Sequence, residues 1–231
     1  MDEKRHIGSL FDRIAERYDL LNHLLSLNID KVWRRKAVQM IPQSDTCLDV
    51  TIGTGDLAIE LIRRNKVTTI QGIDLSGEMI RIGEDKVRRL AMTNRINFMQ
   101  ADAMKMPFAD ECFDVVTCAY GVRNFADMDS GLREMCRVMK VGGTLMILEF
   151  SYPENKAIAW AYDLYFSHIL PPVGRMISRD KTAYTYLNRS VKNFVWGEAM
   201  CEQIRRAGFT DVRHTGLTFG ITTIYTATKR G

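Results

Sequence analysis

The chain has 231 residues, 46% of them apolar and 26% charged, with a formal net charge of +4, the profile of an ordinary globular protein with room for one large domain or two small ones. Its five cysteines are odd in number and form no Cys-x-x-Cys, which fits a reducing cytoplasm and argues against a disulfide scaffold or a zinc cage. No run approaches the ~18 apolar residues of a transmembrane helix, and Met1 to Leu20 carry charge throughout, unlike a signal peptide.

Residues 9–40 place Phe11, Ile14, Tyr18 and Leu21, then Leu24, Leu25, Leu27, Val32 and Trp33, at helical spacing, and Pro42 ends them. An alternation of strand and helix follows. Thr46–Val50 reads as a strand, Asp56–Arg64 as a helix, Thr68–Ile73 as a strand and Ser76–Leu90 as a helix capped by Ser76. Ile96–Met99 is a strand, and Phe113–Cys118 is a continuous apolar strand of the kind found in parallel sheets covered on both faces. Asp127–Met139 reads as a helix stopped at Gly142-Gly143, and Thr144–Phe150 as a strand. Residues 151–195 interrupt the alternation with an apolar, aromatic segment (Ala157–Leu170), a Pro171-Pro172 stop and a basic stretch. That stretch holds Arg175, Arg179, Lys181, Arg189 and Lys192 against the single acid Asp180. It suits an anionic surface or ligand, and equally a solvated loop face. A helix from Gly197 to Ala207, with Gly208 as its C-cap, leads to two strand-like runs, Asp211–Leu217 and Thr222–Thr228. Their connection is too short for a crossover helix, so they are antiparallel. The expected fold is one α/β domain over residues 1–231. It has a Rossmann-like, seven-stranded, mostly parallel sheet with helices on both faces and an antiparallel last strand. A helical lid (1–42) precedes it, and a substrate- or membrane-facing insertion (151–195) comes before the sixth strand.

Residues 49–56 read Asp-Val-Thr-Ile-Gly-Thr-Gly-Asp, and Asp74 closes the next apolar run. This is a strand, a glycine turn into a helix, and an acid placed to hold both hydroxyls of a ribose. An acid at the helix start repels a pyrophosphate. It suits a ligand without phosphate such as S-adenosylmethionine (AdoMet), whose sulfonium and amino groups are cationic. The alternative, a nicotinamide-dependent oxidoreductase, needs a third glycine where Ala58 stands. In an open α/β sheet, ligands lie beyond the carboxyl ends of the strands. Gly53, Thr54, Gly55 and Asp56 follow the first strand, Asp74 ends the second, Asp102 and Ala103 follow the third, and Ala119, Tyr120 and Gly121 follow the fourth. All fall on one edge, as a turn under the amino-acid tail, a carboxylate on the ribose, a polar side chain at the adenine and a reaction-side loop. Singly, Asp56 or Asp102 reads as a helix cap. Met79, just inside the helix capped by Ser76, is counted with the cofactor-binding residues.

The core resembles the class I AdoMet-dependent methyltransferases through Asp-Val-x-x-Gly-Thr-Gly-Asp, Gly-Ile-Asp74, Gln-Ala-Asp102-Ala, Phe-Asp-Val-Val and Arg137-Val-Met-Lys-x-Gly-Gly143. Other motifs resemble the ubiquinone/menaquinone biosynthesis C-methyltransferases. These are Phe11-Asp-x-Ile-Ala-x-x-Tyr18-Asp-x-x-Asn22, Trp33-Arg34, Tyr120-Gly-Val-Arg123-Asn124, Leu148-Glu-Phe-Ser151 and Tyr162-x-x-Tyr165…Ile169-Leu-Pro171. Three positions depart from that pattern: Thr51-Ile52 replaces a small residue and its neighbour, Ala119 stands where Ser is frequent, and Val141 replaces Pro. The resemblance implies methylation of a ring carbon of a polyprenylated hydroquinone, with demethylmenaquinol favoured over the benzoquinol precursor of ubiquinone or another small acceptor. It implies that Arg123 stabilises a phenolate and that Asn124 hydrogen-bonds the same oxygen. The competing roles are an ion pair for Arg123 and a helix cap for Asn124. Tyr18, Asp19 and the four histidines are base candidates by type only. Tyr162, Tyr165, Phe166, Ile169 and Leu170 suit either a prenyl groove or an ordinary core helix, and the segment could lie on a bilayer. No metal and no nucleic-acid partner is expected, and a non-catalytic AdoMet-fold subunit is the reading from another class.

Overall fold

The computed structural model describes residues 12, 13, 15, 16, 18–20, 22–24, 26–165, 190, 191 and 193–231. The elements begin with α1 (Ile29–Gln39), β1 (Ser44–Val50), α2 (Asp56–Arg63), β2 (Val67–Asp74), α3 (Gly77–Arg89), β3 (Ile96–Gln100) and β4 (Phe113–Ala119). They continue with α4 (Met128–Val138), β5 (Met139–Phe150), α5 (Lys156–Leu164), α6 (Glu198–Arg206), β6 (Phe209–Leu217) and β7 (Thr222–Lys229). The strands form one seven-stranded sheet in the order β3-β2-β1-β4-β5-β7-β6. β7 runs antiparallel to both β5 and β6, and the remaining pairings are parallel.

Both faces of the sheet are covered, which is why its central strands read as unbroken apolar runs. Along β5, Leu145 and Ile147 point to one side, onto Leu132, Met135 and Val138 of α4 and Met200 and Ile204 of α6. Met146 and Leu148 point to the other, onto Ala37 and Val38 of α1 and Leu57 and Leu61 of α2. Each large side chain buried this way contributes about 1.5–3 kcal/mol. The helices start where local chemistry allows: Ser76 Oγ accepts from the Met79 amide, and Asp127 Oδ1 accepts from the Ser130 amide.

The structure differs from the sequence expectation at two places. The helical stretch over 9–40 is broken at Leu27 and Asn28, which have φ of 52° and 60°. The Ser26 hydroxyl donates to Asp30 across this break. The glycines Gly142-Gly143 do not stop α4, which ends at Val138; they lie inside β5. There the register jumps from Phe113↔Met139 to Val115↔Thr144, so the extra residues form a bulge. A Cβ on Gly143 would lie 2.9 Å from the Asp114 carbonyl oxygen, which explains glycine at that place. In the aromatic segment, Tyr162 is buried but Trp160 is 69% exposed, so α5 is no plain core helix. Phe166, Ile169, Leu170, the Pro171-Pro172 stop and the basic stretch from Arg175 to Lys192 lie outside the described residues. Among the described residues, no helix is long and apolar enough to cross a membrane.

The centre of the sheet holds an acid. Asp49 on β1 stands in register with Thr117 of β4 and Gly72 of β2, is 1% exposed, and accepts a hydrogen bond from Thr117 Oγ1 at 2.7 Å. Burial pushes its carboxyl up to about 7 against the pull of Thr117, and the nearby Asp74 adds to the rise. A folded-state pKa above the unfolded value of about 3.9 means that the native state binds the proton more tightly. The associated stability is therefore complete below about pH 4 and is lost as pH rises to about 7, a change on the order of 4 kcal/mol. Asp49→Asn removes the titration. Thermal melts from pH 5 to 8 should show the wild-type Tm falling relative to that of the variant, and parallel curves would refute this account.

Candidate active site

The carboxyl ends of β1 to β4 open into one cleft of about 760 Å3, part of it exposed to solvent. Gly53, Asp74, Met79, Asp102, Ala103, Ala119 and Asn124 line it, so most of the expected site residues are brought together. Tyr18, Thr51, Ser76 and Tyr120 line it as well. At Gly53, φ is +55° and an added Cβ would meet nothing within 4 Å, so the backbone is bare for close approach of a ligand. Thr51 and Tyr120, at the ends of neighbouring strands, both have φ of 58°. Left-handed conformations in such residues cost on the order of 1–3 kcal/mol and persist only where the surroundings enforce them. For Tyr120 the enforcement is visible: its amide donates to the Leu148 carbonyl at 2.7 Å, and its ring lies 4.6 Å from that of Phe150. Gly121 makes room, because a Cβ there would lie 1.8 Å from Thr51 Oγ1.

Asp74 is held by the backbone of both turns. Its Oδ2 accepts from the Gly53 amide and its Oδ1 from the Ser76 amide, each at 2.9 Å. Burial raises its carboxyl pKa above the ordinary value, more than these hydrogen bonds lower it. An ionised carboxylate offers about four acceptor sites. Each oxygen therefore keeps capacity for a hydroxyl beyond its amide. Asp102 Oδ1 accepts from the Met104 amide at 2.9 Å, which fixes the third turn. A bare glycine backbone flanked by acceptor carboxylates fits a nucleoside that carries positive charge, as AdoMet does.

The side chains of the rest of the glycine turn face elsewhere. Thr54 is buried and donates to Asp19 at 2.5 Å, while Lys86 Nζ donates to Thr54 at 3.2 Å. Asp56 pairs with Lys86 at 2.7 Å, with Arg34 at 3.5 Å and with His23 at 3.7 Å. Burial would raise the Asp56 carboxyl, but Arg34 and Lys86 prevail and its pKa is lowered. Gly55, with φ of +83°, backs onto the Phe98 ring. These contacts tie the N-terminal segment to the turn, and Asp12 adds another by accepting from Ser76 Oγ at 2.5 Å.

Asn124 lines the cleft, and its Nδ2 donates to the Tyr120 carbonyl at 3.4 Å. Arg123, beside it, is turned inward: its NH1 donates to Glu149 Oε1 at 2.6 Å and to the Tyr120 carbonyl at 2.5 Å. Its guanidinium also lies 5.3 Å above the Phe150 ring. Two tyrosines register its charge. Burial raises the Tyr18 and Tyr162 phenols, and Arg123 is the strongest influence lowering each. Among the base candidates, Asp19 is taken up by Thr54 and Lys86, and His23 by Asp30 at 2.7 Å. His214 stands 3.4 Å from Cys201, while His6 and His168 lie outside the described residues. Sequence reasoning gave Glu149 no role. The available signal was a single acid within the apolar run Leu145–Phe150, since a buried charge demands a partner.

Comparison with known proteins agrees with this geometry. The model of the ubiE/COQ5 methyltransferase family matches residues 1–229. The chain is 44% identical over 230 residues to the demethylmenaquinone methyltransferase of Porphyromonas gingivalis, covering 98% of this chain and 94% of that one. It is 43% identical over 226 residues to the ubiquinone/menaquinone biosynthesis C-methyltransferase UbiE of Geotalea daltonii, covering 96% of each. Among solved structures, a possible histamine N-methyltransferase from Thermotoga maritima, described as SAM-dependent, superposes with a TM-score of 0.68. It is 19% identical, with 97% of this chain and 100% of that one covered, and shows the shared fold alone. The full-length family match and the high identity to its members make this chain a member of the ubiE/COQ5 methyltransferase family.

Proposed function

We propose that the chain uses AdoMet to methylate a ring carbon of a polyprenylated hydroquinone, demethylmenaquinol. The names of its relatives support the acceptor, and the observation that carries the chemistry is the place of Arg123: it stands in the turn after β4, next to the cleft-lining Asn124, with its guanidinium held at a fixed point by Glu149. A ring carbon becomes nucleophilic when the neighbouring phenol loses its proton, and an unassisted phenol does so near pH ~10. Arg123 cannot act as the base, because a guanidinium stays protonated. It lowers the cost of the phenolate, and Asn124 hydrogen-bonds the same oxygen. Bound AdoMet supplies an electrophilic methyl group. The Gly53 backbone and Asp74 hold its amino-acid and ribose parts, while Met79, Asp102, Ala103 and Ala119 flank the base; Thr54, Gly55 and Asp56 keep the turn in shape from behind. Residues 1–42 serve as a lid, a reading supported by the contacts of Asp12, Tyr18 and Asp19 around the cleft. Residues 151–195 face the substrate and the inner surface of the membrane, with the exposed Trp160 as the supporting feature.

Three measurements test these assignments. Asp74→Ala removes two charge-assisted hydrogen bonds of about 1.5–3 kcal/mol each, so calorimetry should show AdoMet binding weakened at least ~10-fold. Unchanged affinity would remove Asp74 from the ribose. Arg123→Ala should lower kcat by about 10²–10³, with AdoMet affinity nearly intact and a defect that shrinks as pH rises from 6 to 9. A lowered Tm with a pH-independent defect would instead mark Arg123 as structural. Sedimentation with vesicles should increase with anionic lipid and fall with salt, and equal binding to neutral vesicles at low salt would count against the membrane role.

A further inference from the structure

Glu149 is a fully buried acid, held by three hydrogen bonds. Its Oε1 accepts from Arg123 NH1 at 2.6 Å and from the Phe150 amide at 2.9 Å, and its Oε2 accepts from the Arg123 amide at 3.3 Å. Glu149 stands at the carboxyl end of β5, opposite Thr223 of β7. It therefore grips Arg123 at both the backbone and the guanidinium. Stability alone does not explain the arrangement, because a buried ion pair is often no better than well-packed apolar residues of similar volume. We infer that Glu149 is a positioning residue: its carboxylate fixes the direction of the Arg123 guanidinium and moderates the positive charge that Arg123 exerts on the acceptor phenol. The inference rests on the reading of Arg123 given above.

The two effects have separate signatures. Orientation governs the rate once the phenol is ionised. Moderation governs where it ionises, because a carboxylate 2.6 Å from the cation offsets part of its field. Among the described residues, Glu149 from β5, Tyr162 from α5 and Tyr18 from the N-terminal segment are titratable groups that interact with Arg123. Of these, Glu149 bears the negative charge that a substitution can remove.

The test is single-turnover methyl transfer to demethylmenaquinol from pH 6 to 10 by wild type, Glu149→Gln, Arg123→Ala and the double variant, with AdoMet affinity measured beside it. Glu149→Gln should reduce the plateau rate by about 10- to 100-fold, leave AdoMet affinity within about threefold, and move the apparent pKa down by about one unit. In the Arg123→Ala background the same change should alter the plateau by less than about twofold, since no guanidinium remains to be oriented. A wild-type plateau and pKa in Glu149→Gln, or an additive loss in the double variant, overturns the inference while leaving the role of Arg123 intact. A wild-type rate in Arg123→Ala overturns that role and the inference with it. If Gln at this position prevents folding, Glu149→Asp decides: it keeps the charge and withdraws the grip, so the plateau should fall about 10-fold with an unmoved pKa, and a wild-type plateau refutes positioning.

Discussion

The carboxylate of Asp74 joins two turns that would otherwise be independent. The Gly53 amide after β1 and the Ser76 amide before α3 both donate to it. The Ile52 amide, which donates to the Ile73 carbonyl, extends the same seam. With the backbones of β1 and β2 locked this way, the cleft floor has one shape, and the Asp74 carboxylate faces it from a fixed position. The cost is electrostatic. Burial raises the Asp74 pKa, and Asp49 and Asp12 stand near enough to interact unfavourably with the charge or share the penalty. A cationic ligand with hydroxyl donors relieves that penalty, and a pyrophosphate would worsen it.

Behind the turn the charges are arranged for a different purpose. Asp56 is compensated by Lys86 and Arg34, with His23 3.7 Å away, and Arg34 in turn pairs with Asp30. This network links α1, α2 and α3 to the described residues that precede Asn28. It also keeps cations on the outer side of the turn while acceptors face the cleft. The charge of Asp56 is thus balanced within the protein, at a helix start that already favours an acid.

Much of this was legible in the sequence for a simple reason: a parallel sheet covered on both faces leaves short apolar runs punctuated by turn residues. The strand ends at Val50, Ile73 and Cys118 and the Ser76 cap lie within a residue of their places in the structure. Features that depend on distant partners were not legible. Helical spacing continues through Leu27 and Asn28 although Leu24, Leu27 and Val32 are exposed, so periodicity cannot reveal the break. Gly142-Gly143 looks like a helix stop because a bulge and a C-cap call for the same residue, and only the Asp114 carbonyl across the sheet distinguishes them. The side-chain partners of Thr54 and Asp56 are not legible either, because sequence places both on the loop without showing Asp19 or Lys86 beside them.

The departures from the family pattern at Thr51 and Ile52 are absorbed by glycines in neighbouring strands. Ile52 packs where Gly72 has no side chain, since a Cβ there would lie 2.1 Å from the Ile52 Cδ1. Thr51 occupies the space over Gly121 and donates to the Val50 carbonyl at 2.5 Å. Ile52 thus fills the space beside β2, while Thr51 lines the cleft beside the turn after β4. Tyr120, left-handed and held by the Leu148 carbonyl and the Phe150 ring, leads from there into the Val122–Asn124 turn. The position of Arg123 therefore depends on two constraints from opposite sides: the Thr51–Gly121 contact fixes where its backbone leaves the sheet, and Glu149 fixes where its charge ends.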